Sequence, residues 1–481
     1  MRTPPLASGP EGPRALRPLL DTVLEALRDG AQERGGPLPA GGPETVAARV
    51  RDALGDVLPD EGDPEALRHL VRSLAEGSAD PADPLCAAHL HCPPLAVAAA
   101  ADLAASVLNP SLDSWDQAPA ASELERLVAR VLANEVYGDP PRGAGLHRFA
   151  APPRAATSPH RPAADNEPDS LVTTGGTESN QLALLLARET LGAGTRLVCG
   201  ANAHHSLPRS AWLLGLPDPV TVPAPAGTLD PAALDAALTD LPGPHLVAAT
   251  AGTTDAGLID PLPEITAVCR THGARLHIDA AYGGGLLFST RHRNKLTGLS
   301  AAATVTLDLH KLGWQPVAAG LLAVQDARDL AALRQRADYL NADDDTEAGL
   351  PDLLGRSLRT TRRPDALKIA VTLKTLGRTG LGRLVDQVCA RATEFAALVQ
   401  SHPGFELHDP PTISTVLFRP VHATDDDIAA VRRKLLTDGR AVLGRARLDG
   451  RLWLKATLLN PHTRPDDLAA LLKVVEGTTR R

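Results

Sequence analysis

The chain has 481 residues, of which 43% are hydrophobic and 22% charged, and its formal net charge is -8 at pH 7. This length is too great for one compact core, and the composition excludes a wholly disordered protein. The acidic balance, without any basic stripe, excludes nucleic acid and an anionic membrane surface as partners.

The cysteines predict the redox environment. There are five, an odd number at irregular spacing, which favours a reducing compartment over a disulfide framework. Residues 1–13 lack the apolar core of a signal peptide, so we expect a cytoplasmic protein. A zinc site at Cys86, His89, His91 and Cys92 stays open, but their spacing is not that of a common structural site, and no metal is expected.

The first part of the chain, residues 1–105, is predicted to be a helical extension. Apolar residues recur at helical spacing within residues 16–27 and 46–57, and a Gly/Pro-rich break, Gly30 to Pro43, separates the two stretches. Such apolar stripes pack either on the chain's own core or on a partner subunit.

The middle of the chain, residues 106–345, is predicted to be a large α/β domain. From about residue 170, short apolar runs alternate with helical stretches, the pattern of a mostly parallel sheet covered on both faces. The expected strands are Leu197–Cys199, His245–Thr250, Arg275–Ile278 and Thr304–Leu307. The expected helices are Glu178–Thr190, Pro231–Leu238 and Pro261–His272.

A smaller C-terminal α+β domain is predicted for residues 346–481. A long helical region, Asp365 to Gln400, leads into two candidate strands, Thr415–Phe418 and Arg451–Leu458.

A Gly-rich turn precedes the first helix of the large domain. Gly175 and Gly176 lie within Thr173–Asn180, and an apolar helix follows from Gln181. Glycines let the backbone approach a ligand closely, and a new helix offers free N–H groups and a positive dipole end to a phosphate. The turn has neither the Gly-Lys-Ser/Thr of a nucleotide-binding loop nor the dinucleotide fingerprint.

Lys311 is the candidate for covalent chemistry. The chain has only seven lysines, and Lys311 follows the predicted strand Thr304–Leu307, together with Asp308 and His310. An enzyme that forms a Schiff base needs one primary amine, buried enough to lose its proton. The alternative is a surface lysine on a loop.

Asp279 and His204 add two further groups. Asp279 follows a predicted buried strand, so it points into the usual ligand crevice, and Ala281 is small enough to lie against a flat ring. Pyridoxal phosphate (PLP) needs an anion that keeps its pyridine nitrogen protonated. His204 can stack on the open face of such a ring. The alternatives are a helix-capping aspartate and a structural histidine.

These motifs, in this order, resemble the group II pyridoxal-dependent decarboxylases, which include aromatic-amino-acid, glutamate and 2,4-diaminobutyrate decarboxylases. The resemblance runs from about His89 to about Val475 and is greatest to the diaminobutyrate branch. Besides the motifs above, it rests on His89–Pro93, Asn109–Gln117, Ala251–Thr254, Thr361–Lys368 and Leu459–Pro461.

The resemblance implies fold type I of PLP enzymes, with a mostly parallel central sheet, a homodimer, and decarboxylation of an amino acid to an amine and CO2. It also implies site roles. The phosphate would be held by Gly176 and Thr177, and the ring would be contacted by His204, Thr254, Asp279 and Ala281. Lys311 would carry the cofactor, flanked by Asp308 and His310. Lys455 would meet the substrate carboxylate, and Asp113 or Asp116 a distal ammonium.

One departure leaves the proton donor unassigned. Some relatives use a loop tyrosine shortly before the paired arginines, but Gly349 to Thr361 contains none, and Tyr339 lies further upstream. Other reactions on the same fold stay open, namely aldehyde-forming decarboxylation and carbon–carbon cleavage. So does a non-catalytic binding protein, which the joint presence of Lys311, Asp279 and His204 disfavours.

Overall fold

The computed structural model describes residues 4–138, 167–334 and 352–479, together with residues 340, 342, 344 and 347–350. Tyr339 lies outside the described residues. The chain forms two compact units, one made of Met1–Pro93 with Gln387–Arg481 and the other of Pro94–Asp386. The division into three sequence segments stays a prediction.

Helices account for much of both units. In chain order they are α1 (Gly12–Arg34), α2 (Gly42–Leu54), α3 (Ala66–Gly77), α4 (Ala96–Leu108), α5 (Pro119–Tyr137), α6 (Gly176–Leu191), α7 (Ser206–Leu213), α8 (Pro231–Thr239), α9 (Leu262–Thr271), α10 (Leu309–Leu312), α11 (Ala366–Ser401), α12 (Asp425–Thr437) and α13 (Pro465–Thr479). Within the described ranges, every helix is too short or too polar to cross a lipid bilayer.

The strands form two sheets. In chain order they are β1 (Cys86–Ala87), β2 (Asp169–Thr173), β3 (Arg196–Gly200), β4 (Val220–Val222), β5 (His245–Thr250), β6 (Arg275–Ala280), β7 (Thr304–Asp308), β8 (Gly320–Val324), β9 (Phe405–Leu407), β10 (Thr415–Pro420), β11 (Val442–Leu448) and β12 (Arg451–Thr457).

The unit Pro94–Asp386 is built on a seven-stranded sheet with the order β2-β8-β7-β6-β5-β3-β4. Strands β3 to β7 pair in parallel, whereas β8 runs antiparallel to both of its neighbours. Because β2 and β7 both oppose β8, β2 runs in the same direction as β7. Every residue of β5, β7 and β8 is buried, as expected for a sheet covered on both faces. This arrangement confirms the mostly parallel central sheet.

The other unit contains a five-stranded sheet with the order β1-β11-β12-β10-β9, and only the β1–β11 pair is parallel. Its core joins residues of α11 beyond 387 with α12, α13 and the sheet, around Phe395 and the edge-to-face partner Phe418. The predicted smaller C-terminal α+β portion is therefore confirmed as a fold feature, and it includes both candidate strands.

Two sequence predictions differ from the structure. The break expected from Gly30 begins later, because α1 continues to Arg34. A side chain at Gly30 would collide with the backbone of Arg72, so glycine here lets α1 pack closely on α3. The strands that were not predicted are β1, β2, β4, β8, β9 and β11, although β2 carries the Gly-rich turn at its end.

Candidate active site

The residues predicted to carry chemistry gather at one edge of the seven-stranded sheet. Strands β2, β3, β5, β6 and β7 run in the same direction, so their carboxyl ends meet at that edge. Ligands bind at this edge of open α/β sheets. Gly175 follows β2, His204 follows β3 and Thr254 follows β5, while Asp279 and Asp308 occupy the ends of β6 and β7.

The Gly-rich turn packs against these strand ends at very short range. A Cβ atom on Gly176 would lie 3.1 Å from Ala281 Cβ and 3.1 Å from Asp308 Oδ2, and one on Gly175 would lie 2.9 Å from His310 Cε1. Thr177 is exposed at the first turn of α6. The glycines therefore leave a shallow cradle beside free N–H groups of the helix, as phosphate binding requires.

The Asp279 carboxylate is buried and held at both oxygens. Its Oδ1 accepts a hydrogen bond from the Ala281 backbone N–H at 3.0 Å, and its Oδ2 accepts one from Asn180 Nδ2 at 2.8 Å. Both hydrogen bonds fix the position of the carboxylate. The arrangement supplies a fixed negative charge at the carboxyl end of β6.

His204 lies half-buried beside this carboxylate. Its Nδ1 is 2.8 Å from Ser206 Oγ, and the Ser206 backbone N–H also donates to Nδ1, at 3.3 Å. Burial lowers the pKa of His204, although the nearby Asp279 acts in the opposite direction. The ring is therefore neutral near pH 7 and presents a flat face.

Lys311 lies in the single-turn helix α10 and contacts the end of β7. Its Nζ is 3.0 Å from Asp308 Oδ2, and His310 Nε2 is 3.5 Å from the same oxygen. Asp308 Oδ1 is buried and has no hydrogen-bond partner among the described residues. Burial lowers the pKa of His310, so this histidine is also neutral near pH 7.

Thr254 belongs to a turn that is attached to the Asp279 strand. The Ala251 N–H donates to the Asp279 carbonyl at 2.8 Å, and the Gly283 N–H donates to the Ala251 carbonyl at 2.9 Å. Thr254 itself is exposed. The predicted cofactor residues thus all lie at or just beyond the carboxyl ends of strands of one sheet: Gly176, Thr177, His204, Thr254, Asp279, Ala281, Asp308, His310 and Lys311.

The three predicted substrate residues have other surroundings. Asp113 is buried and accepts from Gln117 Nε2 at 2.8 Å, while Asp116 is exposed. Lys455 belongs to the other unit, where it lies buried on β12 opposite Gly444. A Cβ on Gly444 would come within 2.7 Å of Lys455 Cε, so the glycine makes room for this side chain.

Sequence reasoning missed the polar side chains behind the site. Asn180 was assigned to the Gly-rich motif only, and Ser206, His277 and Thr306 were not selected as site residues. All four are buried. An asparagine on the buried face of an otherwise apolar helix was the available signal, because a buried amide requires hydrogen-bond partners.

The residues present fit PLP. The glycine cradle at a helix N-terminus suits its phosphate, the doubly held Asp279 suits its ring nitrogen, and the amine of Lys311 suits its aldehyde carbon. The buried, unpartnered Asp308 Oδ1 adds an acceptor beside that amine. Elsewhere in the described ranges, no cluster of three or more His, Cys, Asp or Glu side chains suits a metal ion.

Comparison with known proteins also indicates a PLP-dependent enzyme. The sequence profile named "Pyridoxal-dependent decarboxylase conserved domain" matches residues 54–421. The chain is 39% identical to an L-2,4-diaminobutyrate decarboxylase of Rhizobium meliloti (strain 1021), covering 88% of this chain and 84% of that protein. It is 30% identical to an L-2,4-diaminobutyrate decarboxylase of Acinetobacter baumannii, covering 87% and 84%.

Solved structures share the whole fold. The glutamate decarboxylase domain of a diaminobutyrate-pyruvate transaminase and L-2,4-diaminobutyrate decarboxylase from Vibrio parahaemolyticus superposes with a TM-score of 0.82 at 28% identity, covering 99% of this chain and 97% of that one. Oryza sativa TDC, solved with PLP and tryptamine, has a TM-score of 0.84 at 22% identity, covering 98% and 99%; this likeness concerns the fold alone. The chain therefore belongs to the pyridoxal-dependent decarboxylase family and is a PLP-dependent amino-acid carboxy-lyase.

Proposed function

We propose that this enzyme decarboxylates a small L-amino acid with a distal amine, 2,4-diaminobutyrate first and ornithine or lysine next, to the corresponding amine and CO2. The observation that carries the proposal is the 39% identity, over 88% of the chain, to a protein named L-2,4-diaminobutyrate decarboxylase. A second protein of that name, at 30% identity over 87% of the chain, supports it.

Each residue at the sheet edge has a proposed part in holding the cofactor. The N–H groups at Gly176 and the hydroxyl of Thr177 would hold the phosphate. His204 would pack on one face of the ring, with Ala281 and Thr254 beside it. The Asp279 carboxylate would keep the ring nitrogen protonated.

When bound, PLP supplies an electron sink for the pair of electrons left on the α-carbon as the carboxyl group departs. Lys311 would hold the cofactor and yield its place to the substrate amine. Asp308 contacts its Nζ, and His310 contacts the same Asp308 oxygen, so this pair would accept and return the protons that the exchange moves. A proton must then reach the α-carbon, and its donor is unassigned.

Two acidic residues are proposed partners for the distal ammonium of the substrate, and burial favours Asp113 over Asp116. Asp113 is 4% exposed, and one of its oxygens is already fixed by Gln117. A buried carboxylate meets a cation in a low-dielectric setting, where charge pairing is strongest, whereas an exposed one is screened by water. Lys455 is the proposed partner of the substrate α-carboxylate.

We further propose that the enzyme is a cytoplasmic homodimer. None of the five cysteines, all of which lie in the described ranges, forms a disulfide, and this fits a reducing compartment. An apolar groove of about 400 Å³ beside α5, with Leu127 and Val131 partly exposed at its edge, is the kind of surface that a second subunit covers. The molar mass in solution tests the dimer, since a dimer has twice the 50.3 kDa of the chain.

The substrate proposal is tested by kinetics on a panel of amino acids. We expect kcat/KM for 2,4-diaminobutyrate to exceed that for tryptophan and tyrosine, with the amine and CO2 as products. Asp113→Asn should lower kcat/KM for the diamino acid by at least about a hundredfold, because truncating a buried charge partner costs a few kcal/mol. Asp116→Asn is the matched control, with a much smaller expected loss.

An aromatic preference would contradict the substrate proposal and leave the decarboxylase assignment intact. An unchanged diamino preference in Asp113→Asn would remove Asp113 from the substrate site. An aldehyde product, or cleavage of a carbon–carbon bond other than that to the carboxylate, would instead assign a different reaction on this fold.

A further inference from the structure

A chain of buried hydrogen bonds connects the two groups that face the cofactor, Asp279 and His204. Asn180 lies at its centre. The amide Nδ2 of Asn180 contacts Asp279 Oδ2 at 2.8 Å and Ser206 Oγ at 2.9 Å, and Ser206 Oγ contacts His204 Nδ1 at 2.8 Å. Asn180 and Ser206 are both almost completely buried, so water cannot take over these bonds.

The other end of the Asn180 amide fixes its orientation. Asn180 Oδ1 lies 3.0 Å from His277 Nε2 and accepts a hydrogen bond from Thr306 Oγ1 at 2.9 Å. In the reversed orientation an amide oxygen would face the Asp279 carboxylate, and two acceptors would repel. His277 Nε2 must therefore carry hydrogen, while its Nδ1 faces Thr304 Oγ1 at 2.9 Å.

The same logic assigns the hydrogen on His204. Ser206 Oγ already accepts one hydrogen from Asn180, so its own hydrogen is available for His204 Nδ1. The Ser206 backbone N–H is directed at the same nitrogen, at 3.3 Å, and would clash with an N–H there. Nδ1 is thus an acceptor, and the hydrogen of the neutral ring is on Nε2.

We propose that Asn180 and Ser206 are positioning residues, which orient the Asp279 carboxylate and fix His204 as the tautomer with hydrogen on Nε2. The part that concerns Asp279 and the cofactor rests on the proposed function. The donors all run in one direction, from Thr306 and His277 through Asn180 to Asp279, and through Ser206 to His204. One buried amide thereby sets the orientation of Asp279 and the proton position of His204, two groups that belong to different strand ends.

The first test uses the apoenzyme and does not depend on the cofactor. Nuclear magnetic resonance of protein carrying ¹⁵N-histidine, with the His204 signal assigned by its loss in His204→Gln, should show Nδ1 without hydrogen and Nε2 with it. The hydrogen bond from the Ser206 hydroxyl to Nδ1 stabilises the neutral ring. Ser206→Ala removes this bond, so the pKa of His204 should rise. Surrounding charges on Asp279, Asp308, Lys311 and His205 are the same in both proteins.

Ser170→Ala is the matched control. Ser170 is a fully buried serine of the same sheet, and its hydroxyl donates to the Ala129 carbonyl at 2.7 Å. It lies near the start of β2, whereas the Gly-rich turn follows the other end of this strand. Removing its hydroxyl should cost similar stability and leave the His204 titration unchanged.

The second test measures PLP binding. The dissociation constant from absorbance titration of the apoenzyme should rise at least about tenfold in Asn180→Ala, because hydrogen bonds to charged groups are worth that much. The Ser170→Ala value should stay near that of the wild type. If Asn180→Ala does not fold, the Ser206→Ala titration decides the matter.

Hydrogen on His204 Nδ1 in the wild type, or an unchanged His204 titration in Ser206→Ala, would overturn the proposal. So would PLP affinity in a folded Asn180→Ala equal to that of the control. Failure of the proposed function can be distinguished from failure of this proposal. If PLP were attached to a residue other than Lys311, the proposed function would fail, but the His204 tautomer in the apoenzyme would be unaffected.

Discussion

Asp279 illustrates how a single side chain is prepared for its task by its neighbours. Two hydrogen bonds hold its carboxylate at the end of β6. Asp279→Asn keeps the size of the side chain but loses the charge that we propose keeps the ring nitrogen protonated. We expect kcat to fall by at least about a hundredfold and PLP affinity by about tenfold, comparable to the loss expected when the support of this carboxylate is removed in Asn180→Ala.

Steady-state kinetics and absorbance titration of the same preparation check this expectation. Near-normal turnover in Asp279→Asn would show that this carboxylate is not the partner of the ring. An equal loss in kcat and in PLP affinity would assign it to binding instead.

His277 predicts a pH dependence of stability. Complete burial lowers the pKa of His277 to about 4, from the 6.5 of an exposed histidine. Between these values the unfolded chain binds a proton that the folded chain excludes, so His277 makes the free energy of unfolding decrease as the pH falls from 6.5 towards 4. Urea unfolding of the apoenzyme at several pH values should show a smaller decrease in His277→Gln than in the wild type. An identical slope would contradict the buried neutral imidazole.

At the scale of elements, the start of β8 packs against the Gly-rich turn and so positions the turn that we propose holds the cofactor phosphate. Gly320 begins β8 opposite Thr173, and a side chain there would collide with the backbone of Gly175. We expect Gly320→Ala to displace the turn and to weaken PLP binding by at least about tenfold, since a backbone atom cannot yield as a flexible side chain can.

Gly194→Ala is the control for that experiment, because a Cβ there would meet open space. Absorbance titration of both variants with PLP measures the effect. Equal PLP affinity in the two variants would show that the turn does not depend on this close approach.

The strands that sequence patterns predicted best are those with continuous apolar runs. The expected bounds of β5 agree with the structure, and β3, β6 and β7 each extend by one or two residues. By contrast, β2 and β8 were not predicted. Strand β8 is a short apolar run, and its antiparallel position between β2 and β7 depends on tertiary pairing. The alternation rule predicts parallel neighbours and cannot reveal an antiparallel strand between them.

The candidate site was similarly predictable in part. Groups at strand ends, such as Lys311 and Asp279, could be predicted from sequence because parallel strands end at one edge. Burial of the Asn180 amide could be predicted from the apolar face of its helix, but its partners could not, since Asp279 and Ser206 are 99 and 26 residues away along the chain.

At the scale of the whole molecule, one unit carries the predicted cofactor residues and the other carries Lys455. The family profile spans residues of both, and the solved relative from Vibrio parahaemolyticus matches 99% of the chain, so the entire chain follows the family's architecture. Within it we propose a single covalent link, between PLP and the side-chain amine of Lys311.

Borohydride reduction of the purified holoenzyme, followed by proteolysis and mass spectrometry, tests that claim most directly. The account predicts that the reduced pyridoxyl group is found on the peptide containing Lys311, and that Lys311→Ala loses both the label and turnover. A label on any of the other six lysines, or a Lys311→Ala variant that turns over normally, would contradict it.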